Sequence, residues 1–274
     1  MSMNFAREQS LLRQKLQAKA SAERAAARSA PFAGTVTFLG AEDGDVAAAA
    51  EALAAAWPQM GRAQMTAFVR TLWTSKVHEL RDVGSRLLAL RATLLEPADV
   101  PLLETFLGGG AEPAVLDRIA RDVLGAIAIR AKKVWKDLRK LAAADDAARR
   151  RLAVVATERP LAADAEAFPR FAELVDPLVA RADAALLAAI DGALTAAAAT
   201  HRDAVQAFAA HHGRAIALPA ATPSRTVAAA KPTPIPRKAA PAAPKAKAGK
   251  PEPKSAPKPR TTKARATKAG TKPR

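Results

Sequence analysis

The chain has 274 residues, of which 43 are Lys or Arg and 26 are Asp or Glu, so its formal net charge at pH 7 is +17. It contains no cysteine and no tyrosine, which excludes disulfides, thiolate nucleophiles, zinc ribbons, iron–sulfur clusters and phenolic catalysts. Half of the residues are hydrophobic but only 4% are aromatic. Much of the hydrophobic fraction is alanine, which favours helices over strands, so the composition predicts an all-α protein.

The N-terminal segment carries an apolar stripe, with Leu11, Leu12 and Leu16, that predicts a first helix. The segment is rich in Ala, Arg and Ser, as transit peptides are, but Glu8 and Glu23 favour the helix. It lacks the hydrophobic core of a signal peptide, and no apolar run in the chain approaches the roughly 20 residues that span a bilayer. We therefore expect a cytoplasmic protein with no membrane partner.

Helical periodicity recurs along the rest of the body. Helices are predicted at residues 45–57, 64–73, 76–95, 99–107, 115–134, 136–144, 147–157, 168–179, 184–200 and 201–212. Pro58 and Pro97 end two of them, Pro113 suits a first turn, and Gly213 suits the end of the last. Short antiparallel helices without an all-round apolar surface are typical of helical repeats. We expect residues 1–218 to form a HEAT-like α-solenoid superhelix, although no strict period is visible.

The composition changes at Pro219, since twelve of the 20 prolines lie from there onward. From Arg225 to the end there are fifteen Lys or Arg and a single acid, Glu252, which leaves 28 basic and 25 acidic residues before Arg225. Proline, like-charge repulsion and the lack of large apolar side chains predict that 219–274 is a disordered basic tail. We expect the tail to bind nucleic-acid phosphates through residues that include Lys245, Lys247, Lys250, Lys254, Lys258, Arg260, Lys263 and Arg265.

Two other roles of the tail stay open, namely binding to an anionic membrane surface and raising solubility without any partner. No hydrophobic or lipidation anchor accompanies the charge, which favours nucleic acid over membrane. The tail has no aromatic residue that could stack on the bases of a single strand. It also has no fixed side-chain geometry with which to read a base sequence, so we expect it to add affinity without specificity.

Five short motifs follow one another along the body. They are Thr37-Phe38-Leu39-Gly40, Leu72-Trp73-Thr74-Ser75-Lys76-Val77-His78-Glu79-Leu80-Arg81, Val115-Leu116-Asp117-Arg118-Ile119-Ala120, Arg149-Arg150-Arg151-Leu152-Ala153-Val154-Val155 and Ala189-Ile190-Asp191-Gly192-Ala193-Leu194. In order and spacing this set resembles the bacterial DNA alkylation repair glycosylases (the AlkD-like family) over roughly residues 10–215. The resemblance implies a HEAT-like repeat fold that wraps duplex DNA in a basic concave groove.

The resemblance also implies an N-glycosylase that releases alkylated purines of the 3-methyladenine and 7-methylguanine type. A base methylated at N3 or N7 is cationic and leaves readily, so the enzyme must mainly hold the DNA and stabilise positive charge on the deoxyribose. Asp117 matches the family's catalytic aspartate, and no metal or cofactor is implied. The two tryptophans that flank the sugar in the family fall on Pro113 and Gly192, and none of this chain's three tryptophans obviously replaces them.

Several of these residues also have a plainer interpretation. Asp117 lies four residues before Arg121, so an exposed ion pair worth about 0.3–0.5 kcal/mol would explain it equally. His78 and Glu79 lie in a first turn, and we interpret them as a helix start between two repeats. The triplet Gly108-Gly109-Gly110 lacks the Lys and Ser/Thr of a phosphate loop and is predicted to be a linker.

Two basic clusters of the body are predicted to contact the DNA backbone. They are Arg149, Arg150 and Arg151 at a helix start, and Lys132, Lys133 and Lys136 beside Trp135, which we expect to be buried. The four histidines form neither an HxxxH nor an HExxH pair, so no metal site is expected.

The leading hypothesis is therefore a monomeric, nucleoid-associated N-glycosylase that acts on duplex DNA. A non-catalytic DNA-binding or nucleoid-associated protein, which keeps the fold and has lost the chemistry, is the first alternative. A helical adaptor whose tail only raises solubility is the second.

Overall fold

The computed structural model describes residues 3–32, 34–106 and 111–215. The predicted tail, 219–274, and the predicted linker at Gly108-Gly109-Gly110 lie outside the described residues. Within them the chain is helical, and an isolated β-bridge between Thr37 and Val77 is the nearest approach to a strand. The predicted all-α helical-repeat fold is confirmed. None of the described helices is long and apolar enough to cross a membrane.

The helices are short and follow one another through brief turns. They are α1 (Phe5–Gln17), α2 (Ala22–Ser29), α3 (Asp43–Ala56), α4 (Arg62–Thr74), α5 (His78–Leu90), α6 (Val100–Phe106), α7 (Pro113–Arg118), α8 (Gly125–Arg130), α9 (Val134–Ala142), α10 (Ala147–Val155), α11 (Glu158–Ala163), α12 (Ala167–Val179), α13 (Ala184–Ala197) and α14 (Arg202–His211). Side-chain oxygens at Asn4, Ser21, Asp146 and Asp183 accept hydrogen bonds from first-turn amides, which fixes the starts of four helices.

Five stretches of helix pack on one another in sequence, and we call them the central row. They are α3, α5, α7 with α8, α10 with α11, and α13, each of which contacts the next. Helices α4, α9 and α12 lie against this row. The hydrophobic core between them includes Phe68, Phe106, Trp135 and Phe171, each at most 2% exposed. The expectation that Trp135 is buried is confirmed.

Ion pairs reveal the repeat that is invisible in the hydrophobic pattern. Arg118 contacts Asp82 across 36 residues, and Arg121 contacts Glu158 across 37. Similar separations recur for Lys132 with Glu166 (34 residues), Arg62 with Asp99 (37 residues) and Arg151 with Asp117 (34 residues). Each contact joins equivalent positions of adjacent helix pairs, so polar side chains as well as apolar ones set the stacking register.

The observed helices differ from the predicted ones in several places. Helices α2 and α11 were not predicted, and α11 tolerates Pro160 because first-turn amides need no helical acceptor. The predicted helix 115–134 is continuous but contains a π-helical turn at Ile119–Leu124 and ends at Arg130. Thr74-Ser75 was also expected to cap the next helix, but Val77 is the N-cap of α5, and Ser75 Oγ accepts from the amide of Val77 at 3.1 Å.

Candidate functional site

The structure brings the predicted catalytic residue Asp117 together with the predicted DNA-binding residue Arg151. Asp117 lies in the second turn of α7, and Arg151 lies in the second turn of α10, the next helix of the central row. The guanidinium of Arg151 donates to both carboxylate oxygens, with Nη2 lying 2.7 Å from Oδ2. The side chains of Asp117 and Arg151 are 18% and 27% exposed, so the pair is partly accessible to solvent.

The simpler interpretation of Asp117 does not match this geometry. Arg121, which follows it by one turn, instead donates to the carboxylate of Glu158 in α11. The bonds to Glu158, and secondarily the charge of Asp117, raise the pKa of Arg121. Asp117 therefore belongs to a contact between repeats and not to an exposed pair within one helix.

A cavity of about 390 Å³ is lined by Arg151, the ion-pair partner of Asp117. Its walls come from the N-terminal ends of α7, α10 and α13 and include Pro113, Leu116, Arg151, Leu152 and Ala185. The walls are mostly apolar, with the guanidinium of Arg151 as the cationic group and Asp183 as an acidic residue. Small-molecule sites typically have this size and this mixture of apolar wall and few polar groups, so the cavity is large enough for a purine base.

The two positions that carry tryptophan in the resembling family are open to solvent here. Pro113 is exposed at the cavity wall. Gly192 is also exposed, and a Cβ added there would meet only Oε1 of Glu158, at 3.6 Å. Trp73 and Trp135 are buried in the core, and Trp57, at the end of α3, is partly buried against it.

A second group of cations on the central row was not singled out in the sequence. Arg86, Arg118 and Arg159 line a groove of about 330 Å³ across α5, α7 and α11. Asp82 accepts from both Arg86 and Arg118, while Arg159 lies 3.7 Å from Asp122. Only the stacking of repeats brings these three residues together, so no local motif could have identified them.

The other predicted DNA-binding residues of the body differ in their exposure and in their partners. Arg149 is exposed and lies 3.8 Å from Asp146, whereas Arg150 donates to the backbone carbonyls of Ala144 and Asp145. Lys132 is ion-paired with Glu166 at 2.8 Å on the surface. Lys133 and Lys136 are exposed. Lys245, Lys247, Lys250, Lys254, Lys258, Arg260, Lys263 and Arg265 lie outside the described residues.

The motifs at residues 37–40 and 72–81 contact each other and join the turn before α3 to the start of α5. We call this contact of Phe38, Leu39 and Gly40 with His78 and Glu79 the clasp. Glu79 is fully buried, and its carboxylate accepts from the amides of Leu39 (3.0 Å to each oxygen) and Gly40 (2.8 Å). The ring of His78 stacks on Phe38 at 4.7 Å. This agrees with the interpretation of His78 and Glu79 as a helix-start arrangement between repeats.

The clasp extends to the start of α7. Nη2 of Arg28 donates to Oε2 of Glu112 at 2.6 Å and to Nε2 of His78 at 3.0 Å. Burial lowers the pKa of His78, with Glu112 opposing this effect, and the bond to Glu112 raises the pKa of Arg28. Because Glu112 directly precedes Pro113, this network fixes the beginning of the helix that carries Asp117.

The family model for DNA alkylation repair enzymes matches residues 12–223, which is most of the chain. The chain belongs to this family. The resemblance indicated by the five motifs is thereby confirmed. A search of curated proteins finds no match.

The fold of this DNA alkylation repair family member is similar to a solved structure, that of a predicted DNA alkylation repair enzyme from Enterococcus faecalis. The TM-score is 0.60 at 14% sequence identity, and the match covers 77% of this chain and 98% of that chain. At this identity the similarity shows the fold alone. Within that fold, the central row presents a carboxylate, a guanidinium and an apolar cavity at one place.

Proposed function

We propose that the chain is a DNA N-glycosylase that binds duplex DNA along the central row and releases cationic alkylated purines. The observation that carries the proposal is the placement of Asp117. Asp117 is held by Arg151, which comes from the next repeat and lines a mostly apolar cavity, in a member of a DNA alkylation repair family.

Asp117 would act electrostatically. A purine methylated at N3 or N7 is already a good leaving group, so the reaction is limited by the positive charge that develops on the deoxyribose. A fixed carboxylate beside that sugar stabilises the charge, and removing one such preorganised group typically costs about 10²–10³-fold in rate. In this proposal the leaving base enters the cavity lined by Pro113 and Leu116.

Arg151 has a part in both binding and chemistry. Its planar guanidinium matches a carboxylate and a phosphate equally well in geometry. In the DNA-free protein it neutralises Asp117. A backbone phosphate that takes over Arg151 would leave the carboxylate of Asp117 available to the sugar, so binding of the substrate would itself prepare the site.

A specific observation favours the second candidate, a DNA-binding protein without catalysis. Pro113 and Gly192 provide no aromatic surface, and positioning of the reacting sugar is worth several orders of magnitude in an enzyme. In either case we propose a monomer, cytoplasmic and associated with the nucleoid, in which the predicted tail at 219–274 adds non-specific affinity for DNA phosphates.

The decisive experiment measures free 3-methyladenine and 7-methylguanine released from methylated duplex DNA. We expect wild-type protein to release them and Asp117→Asn to be slower by about 10²–10³-fold. Asp122→Asn is the matched control, because it removes another carboxylate of the same continuous helix. Release that is no faster than that of Asp117→Asn would refute the glycosylase and leave the DNA-binding protein.

The salt dependence of DNA affinity separates the remaining possibilities. Full-length protein should lose affinity steeply with salt, by about 10³–10⁵-fold between 50 and 200 mM if ~6–10 phosphates are contacted. Deletion of residues 219–274 should flatten this dependence. An unchanged slope would contradict the role of the tail, and a body without DNA affinity at low salt would favour the helical adaptor.

A further inference from the structure

The end of α14 brings two imidazoles and a carboxylate together. One ligand atom each from Asp176, His211 and His212 lies within 4.8 Å of the other two. Asp176 belongs to α12, and the histidines end α14, so the cluster joins two helices. It lies apart from Asp117 and from the arginines of the central row in the sequence, and the proposed function does not use it.

Neighbouring residues of a regular helix point about 100° apart, yet here both rings face the same carboxylate. The reason is that the helix ends between them. His212 has φ −95° and ψ 8°, outside the helical region, and Gly213 follows with a left-handed φ of 62°. His212 thus forms the C-cap and contacts Asp176 of α12, while His211 occupies the last helical position.

His212 is already oriented. Its Nε2 lies 3.0 Å from Oδ1 of Asp176, and its ring packs 4.5 Å from that of Phe208, so the side chain is only 14% exposed. The exposed ring of His211 lies 4.8 Å away, nearly perpendicular to it. Tetrahedral zinc with bonds of about 2.0–2.2 Å requires ligand atoms roughly 3.4 Å apart. The ligand atoms here lie within 4.8 Å of one another. A side-chain rotation that moves the ligand nitrogen of His211 by little more than about an ångström would therefore bring all three ligand atoms to zinc-binding distance.

Few other side chains of this protein are good ligands for a transition metal. There is no cysteine in the sequence. The other two histidines, His78 and His201, are 1% and 9% exposed and are engaged with Phe38 and with a backbone carbonyl. His211 and His212 are therefore the accessible imidazoles, and imidazole together with carboxylate suits Zn²⁺ among the divalent transition metals.

We propose that Asp176, His211 and His212 bind one Zn²⁺ ion, with water as a further ligand. The ion would join α14 to α12 at the last of the described helices. A second contact lies nearby. Arg214, two residues after His212, donates to the carboxylate of Asp191 in α13 at 2.7 Å. The site differs from the sequence-based expectation of no metal, because its ligands are adjacent histidines and an aspartate 36 residues from His212.

The test is isothermal titration of tag-free, full-length protein with ZnCl₂. We expect one Zn²⁺ per chain, binding at least about tenfold weaker in His211→Asn and in Asp176→Asn, and unchanged binding in Asp203→Asn, which removes a carboxylate of α14 outside the cluster. At a Zn²⁺ concentration near the wild-type Kd, the melting temperature should rise more for wild type than for the two ligand variants. Absence of binding in wild type, or undiminished binding in both variants, would overturn the proposal. Circular dichroism without metal shows that each variant is folded.

Discussion

Glu79 is predicted to stabilise the protein more than any exposed carboxylate does. It is completely buried, and its two oxygens accept from the amides of Leu39 and Gly40 at 2.8–3.0 Å. A hydrogen bond to a charged acceptor contributes about 1.5–3 kcal/mol, and an unsatisfied buried donor costs about 1–3 kcal/mol. Glu79→Ala removes the acceptor for both amides and should lower the free energy of unfolding by roughly 3–5 kcal/mol. Glu79→Gln keeps one oxygen and should lose about 1–2 kcal/mol.

The assay is urea unfolding followed by the helical circular dichroism signal. Glu51→Ala is the control, because Glu51 is an exposed carboxylate of α3 and its loss should change stability by less than about 0.5 kcal/mol. If Glu79→Ala unfolds within about 1 kcal/mol of wild type, the two amides find other acceptors. The clasp would then not be what joins the turn before α3 to α5.

Three further predictions concern the cavity, the buried histidine and the turn. Replacing Pro113 and Gly192 by Trp should raise the rate of base release above wild type with little loss of stability, because both positions are exposed; an unchanged rate in the double variant would show that aromatic walls are not what limits this chain. Burial lowers the pKa of His78, so the unfolded chain binds the proton more tightly, and the free energy of unfolding should fall as the pH drops below about 6.5; urea titrations at pH 7.5 and 5.5 should show a smaller difference for His78→Gln. Gly40→Ala should strongly lower the melting temperature, because the φ of Gly40 is 80° and an added Cβ would lie 2.1 Å from the carbonyl oxygen of Ser21. A near-normal melting temperature would contradict the observed turn.

Much of the fold was predictable because its signals are local. Alanine-rich windows interrupted by Pro58 and Pro97 gave most helices to within a few residues, since helix formation and termination depend on neighbours in the chain. The helix α11, which contains Pro160, was not predicted. The π-helical turn at Ile119–Leu124 has no clear sequence signal, because one extra residue hardly disturbs the apolar pattern.

The candidate site was predictable only where a motif pointed to it. Asp117 and Arg151 were each identified, but their contact was not, because it spans 34 residues between repeats of unequal length. Arg86, Arg118 and Arg159 were not identified at all. Each is an ordinary helical arginine in the sequence, and the groove that they share exists only after the repeats stack.

The ion pairs of the central row have a consequence for how ionic strength acts on the protein. In the proposed complex with DNA, a phosphate that binds Arg118 or Arg151 would have to displace Asp82 or Asp117. Binding would release the cation condensed on the phosphate, but the displaced carboxylate would attract a cation in turn. The net number of ions released, which sets the salt dependence of the affinity, would therefore be small. These carboxylates thus serve as built-in counterions. The DNA affinity of the body should therefore vary little with salt concentration. The predicted tail has fifteen basic residues and a single acidic one, so its contribution to the affinity should be lost first when the salt concentration rises.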